Sequence, residues 1–374
     1  MIRLAFITNE PPPYRLPVFR RVSRVPGIAF QVIFCTRREP NRHWNLPPPD
    51  FGHVFLRERV STVKGRYIHN NPDVLPALKR FAPDVVITDQ FNPTHLYAFL
   101  YAWTKGLIHI PMTDGTLLSE QALSAVHRAV RRLVYRRSHA FISASMGGQK
   151  LYESYGISPE RCFKSYLCID NEAYFRTPAP DDPPYDFIFC ARMVPEKGPL
   201  FALTVAQETA RRLGRKLRIL FVGSGSEEER VKAAATEQRN LVEAEFHGFA
   251  QQHELPALYR SARVFLFPTH ADVWGVVANE ACAAGLPVIV TPHAGVAGEL
   301  VLEGDNGFIR ELEVSQWAEC AATLLTRHEL RNRFGQRSLA LVREYSFDNA
   351  ANGVLDACRF ALETRDSVKI SKPV

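Results

Sequence analysis

Two α/β doubly wound, Rossmann-like domains facing a central cleft are predicted by three features of the 374-residue sequence. Short apolar runs alternate with helical patterns from end to end. These alternations fall into two successive sets. A stiff, polar, proline-rich stretch at 177–184 separates the sets. In the first set the strand candidates are Leu4–Thr8, Phe30–Cys35, Val85–Thr88, Ile108–Met112 and Ala140–Ser143. In the second they are Phe187–Ala191, Arg218–Val222, Val242–Phe246, Val264–Phe267 and Val288–Val290. Many are continuously apolar rather than alternating, as parallel strands covered on both faces are. Helical stretches such as Leu200–Arg212 and Gln316–Arg327 lie between them. The expected divisions are a first domain at 1–176, a linker at 177–185, a second domain at 186–345 and a returning C-terminal helix with a tail at 346–374.

Composition narrows the class. With 46% hydrophobic and 23% charged residues the chain reads as globular, not disordered or fibrous. No apolar run approaches the ~20 residues of a membrane span, and the N-terminal apolar run is too short for a signal peptide. Seven cysteines without a CxxC pair argue against a disulfide framework and a zinc site, and point to a reducing, cytoplasmic setting. The net charge of +7 is uneven: the excess of base falls in residues 1–180, while 181–374 carries slightly more acid than base. A basic first half suggests an anionic counterpart, for which a solvated arginine-rich surface is the plain alternative. No nucleic-acid motif accompanies the charge.

Chemistry concentrates in the second half. Arg192 and Lys197 follow the strand Phe187–Ala191 and are placed to hold a diphosphate, the arginine bidentately and the lysine as a point charge; alone, they would also pass for loop cations. Gly223-x-Gly225 opens a turn, and Ser226 with Glu229 three residues on reads as a capping box. A dinucleotide fingerprint would need glycine at 228, where the chain has Glu228. The segment from Phe267 to Val290 is the most informative. Its helix is expected to start near Gly275, so that the N–H groups at Gly275 and Val276 offer an anion site suited to phosphate. Glu280, within that helix, can accept hydrogen bonds from a ribose diol, and Asp272 on the preceding loop can do so from sugar hydroxyls; the plain alternative is a helix with a charged residue on its wet face.

With these residues in hand, the segment resembles the E-x7-E signature of the retaining family 4 glycosyltransferases, which have the GT-B fold. Pro268, Trp274-Gly275, Glu280-Ala281, Ala283, Gly285 and Pro287-Val288-Ile289 carry the likeness. It extends upstream through Arg192, Pro195 to Gly198, Gly223, Gly225 and His247-Gly248, and downstream to Gly295, Glu299 and Asn306-Gly307. The resemblance implies a donor site made by Arg192, Lys197, Gly223, Gly248, Trp274, Gly275, Val276 and Glu280. It gives Arg192 and Lys197 the donor diphosphate, Glu280 the ribose, and Asp272 the transferred sugar. Asp272 stands where the family has glutamate, so its reach is one methylene shorter.

In the first half, Asp114 follows a strand near the place where many members carry histidine, and either orients hydroxyls or makes an Asx turn. Tyr14 and Arg15, on the proline-stiffened loop from Asn9, are the acceptor-side candidates. The stretch from Leu123 to Arg137 reads as a basic amphipathic helix, with apolar residues 123, 126, 130, 133 and 134 on one face and five arginines over the rest. Either it rests on an anionic membrane or it packs its apolar face into the core.

The resulting expectation is a retaining hexosyltransferase. It moves a sugar from a nucleoside diphosphate sugar, UDP-linked by family frequency, to a hydroxyl of a glycan, glycolipid or small molecule in polysaccharide or glycoconjugate biosynthesis. No redox cofactor or metal is implied. Asp272, Arg192, Lys197 and Asp114 form the expected catalytic set. The acceptor is expected to be lipid-linked or anionic, with a place at the inner face of the cytoplasmic membrane. Two rivals remain: a nucleotide-sugar epimerase of the same fold, and a non-catalytic nucleotide-sugar-binding protein.

Overall fold

The computed structural model describes residues 1–40, 47–63, 66–121 and 123–370. They form two compact units: the described residues of 1–167 together with 347–370, and residues 168–346.

The first unit is built on β1 (Ile2–Thr8), α1 (Leu16–Ser23), β2 (Ile28–Phe34) and β3 (His53–Phe55). A small hairpin of β4 (Val60–Val63) and β5 (Arg66–His69) follows, then α2 (Val74–Phe81), β6 (Val85–Thr88), α3 (Pro93–Thr104) and β7 (Ile108–Thr113). The unit continues through α4 (Leu117–Gln121), α5 (Ala125–Arg136), β8 (Phe141–Ser143), α6 (Met146–Ser154) and β9 (Cys162–Lys164). Its main sheet has the order β3-β2-β1-β6-β7-β8-β9, and every neighbouring pair is parallel. β1, β6 and β7 are almost wholly buried, which explains why they read as unbroken apolar runs.

The second unit begins with α7 (Asn171–Arg176), β10 (Tyr185–Cys190), α8 (Pro199–Leu213), β11 (Leu217–Val222), α9 (Glu228–Glu237) and β12 (Val242–Gly248). It goes on with α10 (Leu255–Arg260), β13 (Ala262–Phe267), α11 (Val276–Ala283), β14 (Val288–Val290), β15 (Gly307–Ile309), α12 (Val314–Thr326) and α13 (His328–Val342). The sheet order is β12-β11-β10-β13-β14-β15, again all parallel. Phe187, Phe189, Ile219, Phe221, Val264 and Leu266 fill its core against the buried faces of α8 and α12.

The last helix, α14 (Phe347–Ile370), belongs to the first unit. Its Asp348 pairs with Arg21, and Phe360 packs its ring on Phe163 at 5.5 Å. Gly353 lies so close to β9 that an added Cβ would fall 1.7 Å from the Lys164 carbonyl oxygen.

Two local expectations are corrected, and the alternatives for α5 are narrowed. The boundary between units lies at 167/168, ahead of the proline-rich stretch, because Asn171 donates to the carbonyls of Val342 and Tyr345 and Arg260 donates to that of Tyr174. These bonds make α7 part of the second unit. Ser226 does not cap a helix: α9 starts at Glu228 with Glu227 in the cap position and no side-chain cap bond. Glu227 instead donates its N–H to the Met193 carbonyl at 2.8 Å, tying the turn to the neighbouring loop. Finally, the apolar side of α5 is only partly internal. Val134 is buried, but Val126 is 71% exposed and Leu133 45% exposed.

Candidate functional site

In open parallel sheets ligands bind beyond the carboxyl ends of the strands, where the strand order reverses. The second sheet reverses between β10 and β13. The loops after those two strands carry Arg192, Lys197 and Asp272.

Backbone bonds lace these loops together. Met193 donates to Ser224 O at 2.9 Å, Gly223 to Gly248 O at 2.7 Å, and His270 to Glu196 O at 2.8 Å. Gly223 adopts φ +124, and a Cβ there would lie 2.0 Å from the Ala191 carbonyl oxygen, so the β11 turn can close on the β10 loop only through glycine. Gly248 ends β12 at the same end of the sheet. Phe249, 51% exposed, comes directly after it, a large apolar surface the sequence reading passed over.

Lys197 and Asp272 form an ion pair. Nζ lies 2.6 Å from Oδ2, and the side chains are 15% and 21% exposed. The other Asp272 oxygen accepts the Trp274 N–H at 3.2 Å. Its backbone is fixed in turn, Asp272 N–H donating to His293 O at 3.2 Å and Gly295 N–H to Asp272 O at 2.9 Å. Arg192 is exposed on the same loop as Lys197.

Helix α11 starts as expected. Gly275 caps it at φ +104, and a Cβ would meet the Phe267 ring at 2.4 Å. The N–H groups of the first turn, with Val276 half-buried, therefore stand at the positive end of the helix beside the Asp272 loop. Trp274 plays a different part from the one expected. Its indole is 1% exposed, donates to Asn279 Oδ1 at 2.8 Å and packs on the Tyr345 ring at 5.3 Å. Its backbone is engaged as well, the N–H by Asp272 and the carbonyl by the Val296 N–H at 3.0 Å, so the residue anchors the loop.

One turn further along, Glu280 Oε2 accepts the Tyr259 hydroxyl at 2.9 Å. Burial pushes the Glu280 carboxyl up to about 7, against the lowering effect of that hydrogen bond. The same enclosure, with Glu280 nearby, raises the Tyr174 and Tyr259 hydroxyls and the Cys190 thiol. Tyr259 was not foreseen: a tyrosine ending a short helix carries no local signal.

In the first unit a cavity of about 310 Å3 opens beyond the ends of β1, β6 and β7, at the point where that sheet reverses. Asp114, Tyr14 and Arg15 all line it. Arg15 is 5% exposed; Nη2 contacts Asp114 Oδ1 at 2.9 Å, and Nη1 donates to Ser165 O, Ser165 Oγ and Tyr166 O. Asp114 is thus held by an ion pair, and the adjacent turn is closed by Thr113 Oγ1, which accepts Gly115 N–H at 3.0 Å, rather than by an Asx turn.

Comparison with known proteins follows the same division. Residues 170–340 match the sequence pattern of "Glycosyl transferases group 1". Over 191 residues the chain is 32% identical to the D-inositol 3-phosphate glycosyltransferase of Nocardia farcinica, covering 49% of this chain and 42% of that protein. It is 31% identical over 269 residues to the glycogen synthase of Mycobacterium tuberculosis H37Rv, covering 71% and 62%. The chain therefore spans less than two thirds of the length of both relatives. Among solved structures, Anabaena HepE in complex with UDP superposes with a TM-score of 0.74 at 16% identity, over 96% of this chain and 100% of that one. The two parallel-sheet units together have the GT-B fold, and the second of them carries the glycosyl transferases group 1 pattern over residues 170–340.

Proposed function

We propose that the chain is a glycosyltransferase that moves a hexose from a UDP-sugar to a hydroxyl group with retention at the anomeric carbon, in polysaccharide or glycoconjugate synthesis. One observation carries the reading. Within the group 1 segment, a lysine–carboxylate pair, an exposed arginine, a glycine-capped helix start and a carboxylate one turn along it meet at one sheet end. That is the set of groups a nucleoside diphosphate sugar needs: cations and N–H donors for the diphosphate, acceptors for the ribose and sugar hydroxyls.

In the reaction the anomeric C–O bond to the diphosphate breaks, and the acceptor oxygen forms the new C–O bond on the same face. The acceptor proton passes to the departing diphosphate oxygen. Arg192, Lys197 and the α11 N–H groups stabilise the charge that grows on the diphosphate, so that no metal ion is required. Glu280 accepts from the ribose diol. Asp272 orients the transferred sugar. The first-unit cavity, with Asp114 at its rim, receives the acceptor hydroxyl. The UDP bound to HepE supports uridine in the donor, by likeness of fold only.

The membrane part of the reading rests on the exposed side of α4 and α5. Leu117, Leu118, Val126 and Leu133 are all at least 45% exposed, beside the exposed Arg132, Arg136 and Arg137. Arg128 and Arg131 are turned inward, to Leu123 O and Glu120 respectively. No described helix is long and apolar enough to cross a membrane. Apolar residues among arginines suit contact with the anionic inner face of a cytoplasmic membrane.

Incubation with UDP-glucose or GDP-mannose without acceptor, followed by nucleotide and sugar analysis, tests the proposal. Release of UDP with free sugar fits a transferase. A changed sugar still on its nucleotide would establish the epimerase instead, and binding without turnover would leave a binding protein.

A further inference from the structure

We infer that the first-unit cavity takes an uncharged or amino-bearing sugar as acceptor and turns away phosphate- and carboxylate-bearing ones. The inference rests on the transferase reading and names the acceptor class that goes with it.

The charge lining the cavity decides the matter. Glu10, Glu39, Asp89 and Asp114 face two cations, Arg15 and Arg131. Both cations are already engaged. Arg15 serves Asp114 and two backbone carbonyls, as described. Arg131 Nη1 lies 3.2 Å from Glu120 Oε1, and its guanidinium sits over the Phe91 ring at 4.4 Å. An entering phosphate would lose its hydration in a site where carboxylates outnumber cations, with no uncommitted cation among the described lining residues to replace the water.

The same lining suits a polyol. Carboxylates accept from hydroxyl or ammonium groups, and two of these are already oriented by imidazoles: Glu39 by His69 at 2.9 Å and Asp89 by His95 at 3.2 Å. Asp89 and Asp114, with side chains 23% and 39% exposed, are more accessible than the buried Glu10 and Glu39. Phe91 and Met112 add apolar surface for the C–H face of a ring. The acceptor class so defined departs from the phosphate-bearing acceptor in the name of the Nocardia relative, whose matched length covers only about half of this chain.

Ligand-observed NMR on the full chain gives a test that does not depend on turnover. The probes are methyl glucoside, glucosamine, glucose 6-phosphate and glucuronate. The two anions should bind about tenfold or more weakly than the other two, a difference of ~1.4 kcal/mol. Gln90→Lys, at an exposed lining position, should narrow that gap severalfold by adding a cation. Equal or tighter binding of the anions, a gap unmoved by Gln90→Lys, or binding of none of the four would each overturn the inference. Acceptor-free donor hydrolysis is read on the same sample: its loss with the NMR pattern intact fails the transferase reading alone, and the converse fails only this one.

Discussion

Lys197 and Asp272 lie 75 residues apart in the sequence, yet Nζ and Oδ2 approach to 2.6 Å at adjoining strand ends. The pair joins the residue proposed for the donor diphosphate to the one proposed for the transferred sugar. Each therefore holds the other in place, and in the proposed reaction each also meets the donor.

Lys197→Ala should lower kcat/KM for donor turnover by about 10²–10³, the ~2.7–4 kcal/mol typical of losing one preorganised charge-stabilising group. Asp272→Asn should lower kcat more than it raises KM. Because the two groups touch, the double variant should cost clearly less than the sum of the singles. Steady-state kinetics of the four proteins measures this coupling, and strict additivity would remove it. Arg192→Ala should likewise lower kcat, since the arginine is proposed to stabilise charge that grows on the diphosphate only as the bond breaks.

Affinity for UDP should depend on pH through Glu280. A carboxylate accepting from ribose binds best ionised, and burial holds this group near 7 rather than 4.5. UDP binding should therefore weaken as pH falls through about 7, and Glu280→Gln should flatten the profile. Stability runs the other way. The folded state holds this proton more tightly than the unfolded chain, so the contribution is full below pH 4.5 and fades as pH rises through 7. Calorimetric titrations between pH 5.5 and 8.5 read the binding half of this prediction, ~10-fold per unit at most below the pKa.

Gly275→Ala should be poorly tolerated. It forces φ +104 on a residue with a Cβ and drives that atom to 2.4 Å from the Phe267 ring. A loss of about 1–3 kcal/mol is expected for such backbone strain, together with loss of the α11 N–H site. Thermal unfolding with and without UDP separates the two: the stabilising shift given by UDP should vanish along with the fall in melting temperature.

The α4–α5 surface should bind anionic vesicles and release them in salt. At about 1 kcal/mol per basic residue near an anionic leaflet, Arg132, Arg136 and Arg137 supply a weak hold that the exposed leucines extend. Co-sedimentation should fall for Arg132→Glu/Arg136→Glu and for Leu117→Ser/Leu118→Ser. Equal sedimentation with neutral lipid would discard the surface.

How far the sequence foretold this arrangement depends on where the signal lay. Strands buried on both faces, such as Phe187–Phe189 and Val85–Ile87, stand out because every side chain is apolar. The residues proposed for the donor, Lys197, Gly275 and Glu280, stand out because they sit at fixed offsets from strand ends. Short strands do not: β9, β15 and the β4–β5 hairpin are three or four residues long and only partly buried or mixed in character. Contacts between distant residues were equally hidden. Nothing near Glu280 announces Tyr259, and Trp274 reads as a site residue until its indole is seen inside the core. On α5 the apolar period was read correctly, but a period does not say whether protein or some other apolar surface covers Val126.

The first unit is discontinuous in the chain, since α14 comes from 347–370 while the rest of the unit ends at 167. On the ribosome this imposes a waiting time. At about 5–20 residues per second, the interval from residue 167 to α14 takes roughly ten to forty seconds. Throughout it, the surfaces of α1 and β9 that receive Asp348, Gly353 and Phe360 have no cover. The second unit has all its strands and can close during that delay. The first can finish only once α14 has left the exit tunnel, so its surfaces stay open to whatever chaperone meets the nascent chain first.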